Sequence, residues 1–228
     1  MYARPERERS DQDIKMDIVA ELQWDTAVDA SKIEVRVDQG TATLHGTVPS
    51  WGSLRAAEND AWLVPGVISV QNQISVALPT TPTAPTSDTI AKNVQTALSW
   101  SIDVIADTID VEIDNNVVTL TGSVATHREK MRAEEIAGSL RGVVAVKNEL
   151  AVVPTRSISD EVVAEEVVGA LRRNVMVNPN EIDVAVNEGV VVLSGKVPSY
   201  TAWVAANRAA SHTDGVIAIQ NTLTVEPD

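Results

Sequence analysis

One glycine-centred pattern occurs three times in this chain. Leu44-His-Gly-Thr-Val48, Leu120-Thr-Gly-Ser-Val124 and Leu193-Ser-Gly-Lys-Val197 share the form Leu-x-Gly-x-Val, at offsets of 76 and 73 residues. The same offsets carry Leu22 onto Leu98 and Leu171, Gly66 onto Gly142 and Gly215, Asn72 onto Asn148 and Asn221, and Val76 onto Val152 and Val225. No gap is needed inside a copy, so length differences fall only between copies. A chain with this self-similarity is an array of one small unit, and a single large fold is excluded.

The boundaries follow from that register. Residues 1–10 form a charged tail, 11–78 the first copy, 79–86 a Pro/Thr linker, 87–153 the second copy, 154–157 a shorter linker and 158–228 the third copy. Pro-rich linkers are extended and stiff, which suits spacers between folded units.

Within a copy the period of the apolar residues changes from helical to alternating and back. Ile14, Ile18, Val19 and Leu22 recur at helical spacing after the capping candidates Ser10 and Asp11. Ile33, Val35 and Val37 then alternate with Glu34, Arg36 and Asp38, and Asp38-Gln-Gly40 supplies a turn before Ala42, Leu44, Gly46 and Val48 resume the alternation. A second helix carries Ala57 and Ala61 at i and i+4, matched by Ala133 with Ala137 and by Ala206 with Ala210. A last strand runs Ile68, Val70, Asn72, Ile74 and Val76 on one face. The expected fold is α+β: three tandem αββαβ domains, each a small mixed three-stranded sheet covered by two helices.

The recurrent glycines are expected to be structural. Gly46, Gly122 and Gly195 fall on the inward parity of a strand, where the missing side chain would let helix and sheet approach. Gly66, Gly142 and Gly215 are read as left-handed caps that stop the second helix. Asn72, Asn148 and Asn221 also face inward by parity, and a buried amide must be hydrogen-bonded, so these too read as structural.

Segments of about 65–70 residues in this order, with Leu-x-Gly-x-Val in the second strand and Gly-Val followed by Val-x-Asn-x-Ile or Leu in the last, resemble the BON-domain family. The resemblance covers nearly the whole chain, three times over. It implies a bacterial envelope role linked to osmotic stress, with phospholipid or envelope-protein partners, and it supplies no catalytic motif to carry over.

The residues themselves narrow the function classes. A net charge of −14, spread as −6, −4 and −6 over the three copies, leaves no basic module to neutralise nucleic-acid phosphates. The lack of cysteine removes disulfides, thiolate nucleophiles and thiolate metal sites. Gly-x-Ser-x-Gly, a phosphate-cradling glycine loop and Ser-x-x-Lys in a suitable context are wanting, so no catalytic residue is assigned and no cofactor is expected. Asp103, Asp107, Asp110, Glu112 and Asp114 are dense enough to suggest calcium, but Asp110, Glu112 and Asp114 alternate with Ile109, Val111 and Ile113 as the wet face of a strand. His45, His127 and His212 are not equivalent positions and lack paired ligands at metal spacing, so no metal site is expected.

What remains for binding is a set of rings at which the copies differ. Trp24 and Trp100 end the first helix of their copies, where the third has Arg173, and an Arg rarely replaces a fully buried ring. Trp51, His127 and Tyr200 align just before the second helix. These six are the expected contact residues for lipid head groups or a protein partner. Unpaired sheet edges in a repeated design also invite self-association, and a cytoplasmic interaction scaffold or homo-oligomer is the alternative reading. The charged start, without the apolar run of a secretory signal, gives a cytoplasmic expectation, with a periplasmic one if an export signal is missing from this sequence. No segment is apolar enough for a membrane span.

Overall fold

The computed structural model describes residues 9–77 and 85–226. Most of the expected tail and of the 79–86 linker lies outside the described residues.

Each copy opens on a helix of three apolar turns: α1 (Asp11–Trp24), α3 (Ser87–Trp100) and α5 (Asp160–Arg173). Ser10 and Thr86 cap the first two, their hydroxyls accepting from Asp13 N and Thr89 N. The expected alternative cap, Asp11, has a different task. Its carboxylate accepts from the N–H groups of Gln39 and Gly40, both at 2.9 Å, and Asp160 does the same for Glu188 at 2.8 Å and Gly189 at 2.9 Å. The first helix is thereby tied to the tip of the hairpin.

That hairpin is β1 (Ile33–Asp38) with β2 (Thr41–Val48), and likewise β4 (Ile109–Asp114) with β5 (Val117–Val124) and β8 (Ile182–Asn187) with β9 (Val190–Val197). Both turn residues have positive φ in every copy: Gln39 and Gly40, Asn115 and Asn116, Glu188 and Gly189. Such a pair matches the right-handed twist of the strands it joins.

The second helices, α2 (Trp51–Leu63), α4 (His127–Ser139) and α6 (Tyr200–Ser211), cross back over the sheet. The chain then pairs parallel to the middle strand, as β3 (Ser69–Val76) in the first copy. In the others it does so as two short pieces, β6 (Ala145–Asn148) and β7 (Ala151–Val152), then β10 (Ala218–Asn221) and β11 (Thr224–Val225). The middle strand thus has an antiparallel neighbour on one side and a parallel one on the other. Leu44, Leu120 and Leu193 on it are fully buried and meet the small faces of the second helices, Ala57 with Ala61, Ala133 with Ala137 and Ala206 with Ala210. Three separate cores result, one per copy. The first copy forms one compact unit; the second and third copies form another, to which Pro49–Gly52 is assigned.

Two expectations about glycine are corrected. Gly46, Gly122 and Gly195 have φ of +151°, +110° and +120°. A Cβ there would collide with the carbonyl oxygen of Lys32, Thr108 or Glu181, the residue just before the facing strand. The close approach is therefore strand to incoming backbone, and not helix to sheet. Gly66, Gly142 and Gly215 are left-handed as expected, at +95°, +94° and +85°, but they stand beyond the helix end, in a turn. A Cβ on Gly66 would press on Ile14 of the first helix at 2.9 Å, and one on Gly215 on Val163 at 2.9 Å.

Candidate functional site

The inward asparagines are half-buried and hydrogen-bonded. Asn148 donates to the carbonyl of Lys130 at 2.8 Å and to Glu134 at 3.1 Å, and its oxygen accepts from Leu150 N at 3.3 Å. Asn72 bridges likewise to Leu54 and Glu58 and accepts from Ile74 N, while Asn221 reaches Asn207 and accepts from Leu223 N. Each ties the last strand to the second helix. In the second and third copies the side chain takes the N–H two residues on, where the ladder is interrupted.

The structure divides the ring residues into two sets. Trp51 and His127 are half-buried and both belong to the second unit. The Trp51 N–H donates to the carbonyl of Val143 at 2.9 Å, and a Cβ on Gly138 would overlap its ring. The His127 imidazole is bonded to the backbone of Ile217; burial holds it below the usual histidine range, so it is neutral at pH 7. Tyr200 is half-buried and stacks on Trp203 with ring centroids 5.4 Å apart. Trp51 and His127 are thus engaged by neighbouring backbone, whereas Tyr200 is met by a ring of its own helix.

The other set projects outward. Trp24 is 83% exposed and Trp100 82%, and two residues on Ile102 is 100% exposed. Arg173 is exposed at the equivalent place in the third copy, followed by exposed Val175 and Met176. The segment from the last residue of the first helix through the following turn therefore presents exposed bulky apolar side chains in each copy: Trp24 alone at the helix end in the first, Trp100, Ile102 and Ile105 in the second, and Val175 and Met176 in the third. Buried neighbours hold each turn down: Val28, Val104 and Val177 point into their cores from the same segments.

In the second copy a residue that the sequence reading did not single out fixes this turn. Glu129 is buried, and its carboxylate accepts from Ile105 N at 2.7 Å and from Ala125 N at 2.9 Å. The signal was present as Thr126-x-x-Glu129, the capping-box pattern: the Thr126 hydroxyl accepts from Glu129 N at 3.1 Å, while the Glu129 carboxylate reaches past the cap to Ala125 N. Glu129 thus anchors the loop carrying Ile102 and Ile105 to the start of α4.

Asp110, Glu112 and Asp114 are exposed along β4, and His45 and His212 are exposed singly. Among the described residues no helix is long and apolar enough to cross a membrane.

The BON-domain family model matches residues 10–77, 86–154 and 159–227. The chain belongs to the BON-domain family. Its three BON domains coincide with the three αββαβ copies. Osmotically-inducible protein Y of Escherichia coli (strain K12) is 29% identical over 140 residues, which is 59% of this chain and 70% of that protein. The chain is thus related to an osmotic-stress protein. Among solved structures, CdsD, a structural protein of the type III secretion system of Chlamydia trachomatis, aligns over 95% of this chain and 93% of its own at 13% identity, with a TM-score of 0.27. Its C-terminal domain aligns over 96% and 100% at 14% identity, with the same score of 0.27.

Proposed function

We propose that this protein is a non-enzymatic, osmotic-stress-type BON protein that attaches peripherally to phospholipid in the cell envelope, through the end of the first helix of each domain and the turn that follows it. The observation that carries the reading is the recurrence of solvent-facing apolar side chains over the helix end and the turn after it, Trp24, Trp100 with Ile102, and Val175 with Met176. Exposed bulky residues in the corresponding segment of every copy, held by a packed scaffold, are suited to a surface that is apolar on one side and wet on the other. Trp is favoured at such boundaries.

The charge sets the mode of attachment. At −14 the chain is repelled by anionic lipid, so the attraction comes from inserted apolar area and is insensitive to salt. Vesicle co-sedimentation tests this with wild type beside Trp24→Ala/Trp100→Ala. Wild type is expected to pellet with zwitterionic vesicles equally at physiological and high salt, and the double variant to stay in the supernatant. Wild type remaining in the supernatant with every vesicle would sink the reading.

A further inference from the structure

The second unit contains a junction between domains that runs head to tail. The start of α4 in the second domain faces the end of α6 in the third. His127 is bonded to the Ile217 backbone, and Arg128, Met131 and Arg132 line a groove of about 620 Å³ with Arg208, Ser211 and His212 opposite. Trp51 makes the same kind of contact within that unit, on Val143 and over Gly138. In repeat register Val143 matches Val216, next to Ile217, and Gly138 matches Ser211. Within this unit the ring at the start of the second domain's second helix therefore meets the glycine turn and the second-helix end of the third domain.

A contact between two different patches of a repeated unit does not close on itself. It leaves one donor face on the last domain and one acceptor face on the first. The donor face is more apolar than its equivalent on α4, and the acceptor face is more apolar than both of its inner equivalents. At the donor end, Trp203 and the exposed Val204 of α6 stand where α4 has Lys130 and Met131. At the acceptor end, Leu63 is 49% exposed and Ile68 52%, where the inner domains have Ser139 or His212 and the half-buried Val144 or Ile217. Trp62 replaces the small Gly138 or Ser211, so an incoming Tyr200 would meet a ring face there and not a socket.

We propose that a second copy of this chain continues the array, with the α6 start of one molecule (Tyr200, Trp203, Val204) docking on the Gly66 turn of the next (Trp62, Leu63, Ile68). The proposal continues a junction already present in the fold and stands apart from lipid attachment. Because the two faces differ, association is open-ended and grows with concentration.

Sedimentation velocity on the full chain decides it, with Tyr200→Glu as the donor variant and Ile68→Glu as the acceptor variant. Wild type is expected to rise above the 24.4 kDa monomer as concentration increases, and each variant alone to remain monomeric. An equimolar mixture of the two still joins one intact donor to one intact acceptor and stops at two chains. Wild type that stays monomeric at all concentrations overturns the proposal, as does a mixture that forms no pair. Leu63→Glu, on an exposed helix position, repeats the acceptor test if Glu at position 68 disturbs folding.

Discussion

The three domains share a backbone and a register, yet the first differs from the other two where its two helices meet. Asp60 on α2, with Asp25 and Glu21 at the end of α1, stands where the second domain has Ile136, Ser101 and Ala97 and the third has Ala209, Asn174 and Ala170. Burial lifts the Asp60 carboxyl to about 7, with the charges of Asp25 and Glu21 and a side-chain hydrogen bond to Asp25 adding to the effect. Its Oδ2 is buried without a hydrogen-bond partner. Two domains close the helix pair with neutral side chains; the first closes it with carboxyls that repel once ionised. Equal folds need not respond equally to pH.

The largest effect that probes this comparison lies where the domains agree. Gly46→Ala, Gly122→Ala and Gly195→Ala each combine a left-handed or strained φ with a collision against a backbone carbonyl. Each is expected to cost about 3 kcal/mol, read as a loss of denaturation midpoint for the domain concerned. A cost confined to one copy would break the claim that the three share one construction.

Asn148→Leu and Asn221→Leu sharpen the comparison at the next level. Asn148 donates twice to α4 and Asn221 once, at 3.3 Å, to α6. Chemical denaturation is expected to show about 2 kcal/mol lost for the first and about 1 kcal/mol for the second. Equal losses would mean that the bond to the N–H two residues on, common to both, is what counts.

Asp60→Ile, which installs the residue of the second domain, has a smaller effect whose sign depends on pH. The folded carboxyl ionises near 7 and the unfolded one near 3.8, so the folded state holds the extra proton between these values. Stability from this group is fully present below about pH 4 and is lost as pH rises to 7. The variant is therefore expected to gain about 1–2 kcal/mol on wild type above neutrality, a figure reduced for the half-exposed site, and to lose that gain on acidification. Thermal melts at pH 8.5 and pH 4.5 check this; a gain that is the same at both would place the effect in packing alone.

The sequence disclosed the domains because periodicity is a local property: Ile14, Ile18 and Leu22 lie on one stripe, and Val35 and Leu44 on one sheet face, whatever surrounds them. Reasons that depend on packing were not legible. Strand parity alone points Gly46 to helix–sheet contact, since nothing in the chain order shows that the Lys32 carbonyl lies against it. Trp51 and His127 read as surface rings in the sequence, because alignment of copies shows where they vary and not which neighbouring backbone covers them. Asp60, Asp25 and Glu21 come from two helices separated by a hairpin, and only the fold brings them together. Exposure of Trp24 and Trp100 was readable from Arg173, since that substitution is itself a report on the environment.

Lipid attachment through those exposed turns is the central claim, and quenching of Trp24 and Trp100 by brominated lipid tests it most directly. With Trp51, Trp62 and Trp203 replaced by Phe, the remaining two tryptophans are those at the helix ends. Their fluorescence is expected to fall and shift to the blue on adding brominated zwitterionic vesicles, and to do so at high salt as well. Emission that stays at the wavelength of a water-exposed ring, unquenched at any lipid concentration, would contradict the account.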